Sequence, residues 1–538
     1  MTGAEFVVDF LKKMQTDTVF CYPGVAVLEL FDALGKSDIN HVLVRHEQGA
    51  VFAASGYARA SGRVGVCIAT SGPGAVNLTT GITDANLDSV PLLVITGQVD
   101  SVSIGRDAFQ EADIMGITLP VTKHNYLVKD KYQLRAVLAE AYKIASCHRC
   151  GPVLVDITKD VLSAKIEDDG EVSSPLPRKR MNEYTLEKSL GEIEKAIKES
   201  YRPVILAGGG VVASSCSEKL AEFSKKSGIP VVVTLMGMGI VLGDDVKLYG
   251  MTGVYGNKAA KTALWQSDLC IAVGCRFSDR TVSDFARFES SRMIIHSDVD
   301  PAEINKNLRA DIAAVCDAGE FFDALISLDA KPDTSSLELW ISQLDALKTK
   351  HVIEKHEHRL SNWEIVRSLD ECAKERGDCT FVCDVGDFQM AAARELEPCF
   401  ERGFITSGGL GAMGFGLPAA IGASMYSGDG AKQVVLLAGD GGFQMSMQEL
   451  STVKKAKKPI KIFIFDNSAL RMIVNKQNSL YGGNCVDSRL SDNPDFALIA
   501  EAYGIDHVTL DVSGRESVKQ KIAEILSADS HTIVCCKV

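Results

Sequence analysis

Short apolar, β-branched runs alternate with helix-length amphipathic segments along nearly the whole chain. The runs include PLLVIT (91–96), GPVLVDI (151–157), RPVILAGGG (202–210), IPVVVTL (229–235), LCIAVG (269–274), RMIIHSDVD (292–300), TFVCDVG (380–386), QVVLLAGDGG (433–442) and KIFIFDN (461–467). They are continuous rather than alternating, with turn residues at their carboxyl ends. That is the pattern of parallel strands buried on both faces of a doubly wound α/β sheet. Two polar stretches interrupt it. IEDDGEVSSPLPRKRMNEYT (166–185), rich in charge, Pro and Ser, reads as a linker, and LDAKPDTSSLE (328–338) opens a region of amphipathic helix. The pattern predicts three doubly wound domains, at 1–165, 185–325 and 360–538. It shows no sequence repeat and no low-complexity tract.

Composition narrows the class. A chain of 538 residues with 46% hydrophobic and 24% charged residues suits a soluble protein of about three domains. A formal charge of -13 argues against nucleic acid or an acidic membrane surface as the main partner. No run of about 18 apolar residues predicts a membrane span. The amphipathic start, MTGAEFVVDFLKKM, lacks the marks of a signal or transit peptide, so a cytoplasmic location is expected. The 15 cysteines are scattered, several of them inside apolar strands (Cys270, Cys383, Cys535, Cys536), where Cys acts as a small hydrophobe. Cys147-His-Arg-Cys150 is a CxxC with no second pair nearby, and is read as structurally ordinary. The basic cluster KKAKKP (454–459) is read as the cationic carboxyl end of a helix.

The sharpest chemistry lies in the last third. LLAGDGGFQMSMQELSTV (436–453) reads as strand, glycine turn and helix. Gly439, Gly441 and Gly442 let backbone approach a phosphate at a helix amino terminus. Asp440 projects from that turn, and a second strand ends nearby in Asp466-Asn467. Asp440, Asn467 and a loop carbonyl just after (Ala469) form an oxygen donor set suited to Mg²⁺. The plainer alternative is a pair of polar strand ends making turn hydrogen bonds. Far upstream, Glu47 of VLVRHEQGA (42–50) stands where an apolar strand gives way to a small-residue helix. On local sequence, that carboxylate is either a helix cap or a functional group.

GDG (439–441), a helix and a strand ending in DN (466–467) resemble the thiamine-diphosphate motif. The chain as a whole resembles the acetohydroxyacid synthase (acetolactate synthase) large catalytic subunits. The likeness runs through YPG (22–24), RHEQGA (45–50), ATSGPGAVNLTTGI (69–82), DAFQEAD (107–113), ITLPVTKHN (117–125), AGGG (207–210), GCRFSDR (274–280), DVDPAEI (298–304), SGGLGAMGFGLPAAIGA (407–423) and GDGGF (439–443). The resemblance implies three thiamine-diphosphate-type domains: pyrimidine-binding, central FAD-binding and diphosphate-binding. It also implies that pyruvate is decarboxylated and its two-carbon unit joined to a second 2-oxo acid.

Roles follow residue by residue as what the resemblance implies. Glu47, taken to be buried and so raised in pKa, shares a proton with N1′ of the aminopyrimidine. Gly411 accepts from the 4′-amino group through its backbone, and Met413 is the apolar wedge that bends the cofactor. Phe109, Gln110 and Lys123 line the reaction centre. Arg280, buried beside Asp279, forks the substrate carboxylate; the alternative is a surface ion pair. A structural FAD lies along Gly208, Gly209, Gly210, Thr234, Leu235, Arg276, Asp298 and Asp317. The site is expected at the interface of a homodimer or homotetramer, with room for a regulatory subunit.

Four features depart from the family pattern. Val25 follows YPG where the family has Gly. Asp387 and Phe388 replace two polar residues near the diphosphate. Lys476 stands where the family has a tryptophan that shapes the second-substrate pocket, with Arg471 in place of a glycine. The chain ends at CCKV, without an extended tail. They keep open another thiamine-diphosphate decarboxylase or carboligase with a different acceptor. AGGG keeps open a flavin oxidoreductase. A catalytically silent partner subunit is disfavoured by intact Glu47, Asp440 and Asn467.

Overall fold

The computed structural model describes residues 1–167, 184–348, 360–426, 428, 433–510 and 515–538. Most of the linker expected at 166–185 lies outside the described residues. Three six-stranded sheets, every neighbouring pair parallel, follow one another along the chain. The first holds β1 (Thr18–Cys21), β2 (Asn40–Leu43), β3 (Gly65–Ala69), β4 (Leu92–Gln98), β5 (His124–Val128) and β6 (Pro152–Thr158). The second holds β7 (Pro203–Ala207), β8 (Val231–Val233), β9 (Leu248–Met251), β10 (Leu269–Val273), β11 (Met293–Asp298) and β12 (Ile312–Val315). The third holds β13 (Cys379–Cys383), β14 (Phe404–Thr406), β15 (Gln433–Gly439), β16 (Ile460–Asp466), β17 (Asp506–Leu510) and β18 (Thr532–Lys537). The doubly wound α/β reading holds for all three. Among the described residues no helix is long and apolar enough to cross a membrane.

The strand orders differ in an informative way. The first sheet runs β2-β1-β3-β4-β6-β5 and the third β14-β13-β15-β16-β18-β17, which is one topology used twice. The second runs β12-β11-β10-β7-β8-β9, the order of a dinucleotide-binding sheet, whose switch point falls between β7 and β10. The helix Thr334–Leu347 opens in the second polar stretch and buries Leu337, Trp340 and Leu344; the Trp340 indole donates to the Pro203 carbonyl at 3.2 Å.

The first and third sheets meet through equivalent helices. Glu47–Ser61 follows the second strand of its sheet, Gly416–Met425 follows the second strand of its own, and the two pack face to face. Small residues make the approach close: a Cβ built on Gly56 would lie 2.1 Å from the Ala419 carbonyl oxygen, and one on Gly422 1.9 Å from that of Ala53. Phe52 and Phe415 close the seam edge to face, with ring centroids 5.4 Å apart. Because the obstacle is backbone, no rotamer change relieves it. Gly422→Ala is expected to cost about 1–3 kcal/mol, read as a lowered midpoint in denaturant unfolding.

Candidate active site

In parallel sheets ligands gather at the carboxyl ends of strands, and the predicted residues fall unequally on those ends. Glu47 is the first residue of its helix, four positions past β2. The helix cap is not Glu47 but His46, whose Nδ1 accepts the Gln48 N–H at 3.1 Å. Glu47 is thereby left for side-chain chemistry: Asn77 Nδ2 donates to its Oε2 at 3.0 Å. The carboxylate is half-buried rather than enclosed, since it sits at an open strand end and not between layers. The turn after β3 stands beside it. A Cβ on Gly74 would lie 3.3 Å from Glu47 Oε1, and one on Gly72 would meet the Gln110 backbone at 2.8 Å. Gly72 and Gln110 both take positive φ, 59° and 61°, so the loop after β4 is pinned to the loop after β3. Nearby Thr70 has a buried hydroxyl with no hydrogen-bond partner. Glu47 and Gln110 therefore face one region, and Phe109 stands 88% exposed at its rim.

Two expected members of this group are elsewhere. Lys123 precedes β5, at the amino end of the sheet. Its ammonium donates to the carbonyls of Ile144 and Cys147, capping the helix Leu134–Ser146, and burial lowers its pKa. The lysine that follows a carboxyl strand end is Lys159, directly after β6. Arg280 is not buried: its side chain is 67% exposed and pairs with Asp279 at 3.5 Å, the surface alternative. It lies in an exposed turn, two residues after Ser278, in the loop that follows β10.

The second half of the site lies on the third sheet. The GDGG turn joins β15 to the helix Asp440–Gln444. Asp440 is 2% exposed; its Oδ1 accepts the Gly441 N–H at 3.0 Å, and its Oδ2 accepts Asn493 Nδ2 at 2.8 Å. Burial raises its pKa, and Asp466 adds to the rise. Asn493 also donates to Asp466 Oδ1 at 3.1 Å, so one amide bridges the two carboxylates, while Lys537 pairs with Asp466 Oδ2. Asn467 Oδ1 is buried without a hydrogen-bond partner. Ala469 faces Arg489 in an antiparallel bridge whose hydrogen bonds run through Ser468 and Leu470. Its own carbonyl is thus turned away from that partner. One carboxylate, one orphaned amide oxygen and one free-facing carbonyl fit an octahedral oxygen-seeking cation that keeps waters or phosphate oxygens. Among the described residues no cluster of three or more His, Cys, Asp or Glu side chains could hold a metal instead.

Met413 and Gly411 come to the same place. A Cβ built on Gly441 would be 3.5 Å from Met413 Cε, and Gly411, at φ 69°, has open space before it. Asp384, at the end of β13, was missed by motif reading although it ends a predicted strand. Its oxygens accept the N–H groups of Val385 (2.7 Å) and Gly414 (3.1 Å), and burial pushes it up to about 7. It also lies against Gly442, joining the Met413 loop to the GDGG turn. The departures look milder here than in sequence. Phe388 turns inward and stacks on Phe465, centroids 5.2 Å apart. Asp387, raised by burial, is opposed by the charge of Arg471 and accepts from Asn362 at 3.1 Å. Two of the departures thus face each other with opposite charge. Val25 is 63% exposed and Lys476 is exposed.

On the second sheet, Gly208 and Gly210 have a reason of their own. A Cβ on Gly208 would lie 2.1 Å from the Gly274 oxygen, and one on Gly210 2.6 Å from the Gly274 Cα. The two turns flanking the switch point are interlocked, so these glycines serve packing. Gly209 leaves its Cβ direction 3.1 Å from Met236. Thr234 and Leu235 follow β8, Arg276 is half-buried after β10, Asp298 ends β11, and Asp317 follows β12. Asp317 caps the helix Ala318–Ser327 and accepts the Ser214 hydroxyl at 2.6 Å, so it is engaged. Asp298, pushed up to about 6 by burial, has one oxygen on the Asp300 N–H. The strand order and Asp298 fit a dinucleotide; the glycines do not argue for one.

Three matches cover most of the chain: the N-terminal TPP binding domain of thiamine pyrophosphate enzymes at residues 1–117, their central domain at 190–325 and their C-terminal TPP binding domain at 384–536. A probable acetolactate synthase large subunit of Methanocaldococcus jannaschii is 41% identical, over 99% of this chain and 91% of its own. The acetolactate synthase large subunit of Lactococcus lactis subsp. lactis is 41% identical over 95% and 88%. The acetolactate synthase isozyme 2 large subunit of Escherichia coli is 40% identical over 98% and 94%.

Proposed function

Since the chain belongs to the thiamine pyrophosphate enzymes, among their acetolactate synthase large subunits, we propose that it condenses two 2-oxo acids in branched-chain amino acid biosynthesis. Pyruvate loses CO₂ and its remaining two-carbon unit bonds to the carbonyl carbon of a second pyruvate, giving 2-acetolactate, or of 2-oxobutanoate, giving 2-aceto-2-hydroxybutanoate. The observation that carries the reading is Glu47, half-buried at a strand end and not used as the helix cap, on one sheet and, on a sheet of the same topology, Asp440 beside an orphaned Asn467 oxygen.

Thiamine diphosphate, when bound, supplies the carbon nucleophile and the electron sink. The chain's residues do the rest. Glu47 holds and returns a proton at N1′ of the aminopyrimidine. Gly411 would accept from the 4′-amino group through its backbone, and Met413 would pack against the cofactor. Asp440, Asn467 and the Ala469 carbonyl hold Mg²⁺. Gln110 and Phe109 border the reacting carbon. FAD along the second sheet, from Gly208–Gly210, Thr234 and Leu235 to Arg276, Asp298 and Asp317, is a structural cofactor; strand order supports it. Arg280 enters the site only if another chain covers it.

A second copy is part of this reading. Val25, Val76 and Phe109, on segments after the strands of the first sheet, and Leu410 and Met445, on segments after those of the third, stand exposed, apolar surface of the kind that marks an interface. We assign the working unit as a cytoplasmic homodimer or homotetramer, open to a regulatory subunit. The test is the product spectrum from pyruvate with thiamine diphosphate and Mg²⁺: 2-acetolactate is expected, and acetaldehyde as sole product overturns it. The exposed Lys476 favours a shift in acceptor choice. With 2-oxobutanoate competing, Lys476→Trp is expected to move the product ratio severalfold toward 2-aceto-2-hydroxybutanoate; an unchanged ratio removes Lys476 from acceptor selection.

A further inference from the structure

The first and third sheets share one strand order, and one kind of contact crosses between them twice. In the segment after β15, the fully buried Glu449 accepts the backbone N–H groups of Arg45 (2.9 Å) and His46 (3.1 Å) on Oε1. The Thr452 hydroxyl donates to Oε2 at 2.6 Å. Arg45 and His46 immediately precede Glu47. In the segment after β3, the buried carboxylate of Asp88 accepts the N–H groups of Gly408 on Oδ2 (2.9 Å) and Gly409 on Oδ1 (2.7 Å). Those residues lead into Gly411 and Met413. Arg59 donates to both Asp88 (2.9 Å) and Asp84 (3.0 Å); Ser407 donates to Asp84 and accepts the Ala412 N–H at 2.9 Å.

The correspondence is positional. β3 and β15 are the third strands of their sheets, while β2 and β14 are the second. In both cases a carboxylate placed after the third strand of one domain takes two successive backbone N–H groups of the loop after the second strand of the other. In both, a glycine makes room: a Cβ on Gly49 would lie 2.5 Å from Glu449 Oε1, and one on Gly409 2.8 Å from Asp88 Oδ1. Charge-assisted bonds to adjacent amides fix a loop's direction as well as its place, and a buried carboxylate stripped of its donors is costly.

We propose that Glu449 and Asp88 are a reciprocal pair of positioning residues, the third domain setting the loop that presents Glu47 and the first domain setting the loop that presents Gly411 and Met413. The proposal rests on the functional reading above, which gives those three residues their roles. Both carboxylates are buried and engaged with backbone N–H groups, so their variants separate by readout.

The experiment compares Asp88→Asn and Glu449→Met with the parent by amide hydrogen exchange without cofactor, by titration with thiamine diphosphate plus Mg²⁺, and by titration with inorganic pyrophosphate plus Mg²⁺. Asp88→Asn leaves one acceptor for two N–H groups. It is expected to speed exchange at Gly408 and Gly409 roughly tenfold, leaving Arg45 and His46 unchanged. It should weaken thiamine diphosphate roughly tenfold but pyrophosphate less than about twofold, because the GDGG turn is untouched. Glu449→Met is expected to speed exchange at Arg45 and His46 and to lower kcat roughly tenfold, with thiamine diphosphate affinity within about twofold. Exchange that is unchanged, or that rises at both loops in either variant, overturns the proposal, as does parallel loss of both ligands. If Asp88→Asn does not fold, Gly409→Ala presses on the same contact from the other side and is read the same way. A parent that ignores thiamine diphosphate sinks the functional reading, while the exchange arm still decides the pair.

Discussion

Glu47→Gln is expected to lower the turnover of pyruvate by roughly 10²–10⁴-fold while leaving the fold and the cofactor's affinity nearly as they were. Glutamine keeps the volume and still accepts from Asn77, whose amide donates to Glu47 Oε2 at 3.0 Å. His46, not Glu47, caps the helix, so no backbone bond is lost. What is removed is the ability to hold and release a proton. Steady-state rates alone would not isolate that loss. Exchange of the thiazolium C2 proton on the bound cofactor, followed by NMR, should slow in step with kcat, and thiamine diphosphate titrations should superimpose on the parent's. A Gln variant at parental speed removes Glu47 from proton handling.

Asp440→Ala should abolish Mg²⁺-dependent binding of thiamine diphosphate within the accessible range, a loss of roughly a hundredfold or more, since even indirect supports of a metal ligand are worth 10–100-fold. Asp440 is the carboxylate of the donor set, and its loss leaves Asn467 and a carbonyl, neutral groups that hold Mg²⁺ poorly. Chelation of the parent should release the cofactor likewise, with full recovery on adding Mg²⁺. Asn493→Leu makes a useful companion: it leaves every proposed ligand in place but removes the amide that bridges Asp440 and Asp466, so a smaller loss of affinity is expected. Retained Mg²⁺ response in Asp440→Ala, by titration calorimetry, defeats the assignment.

The legible part of the fold was its interior. All nine strand runs named from sequence are interior strands of their sheets, because a strand covered on both faces must be apolar throughout. Edge strands escape that constraint: β2, β5 and β17 mix buried with half-buried or exposed positions. The shared topology of the first and third sheets left no repeat in the sequence, since strand order is kept by packing and not by residue identity. In the site, Asp440 and Asn467 were readable because turn, strand end and donor lie within about thirty residues of chain. The placement of Lys123 was not legible because a motif gives no strand polarity; within the chain its ammonium closes a helix at the opposite end of the sheet. Gly208 and Gly210 also carry a packing constraint against Gly274 that the sequence does not display.

By itself the amino-acid sequence determined the α/β class, the parallel interior strands, the GDGG turn with its candidate oxygen donors and the presence of Glu47 at a strand's end, all of them local or periodic properties. Only the tertiary structure decided which side chains act at a distance. Asp88 and Glu449 carry no motif, and their partners are backbone N–H groups more than three hundred residues away. A backbone donor has no residue identity to read, so the meeting of two domains had to be seen before either carboxylate could be given a task.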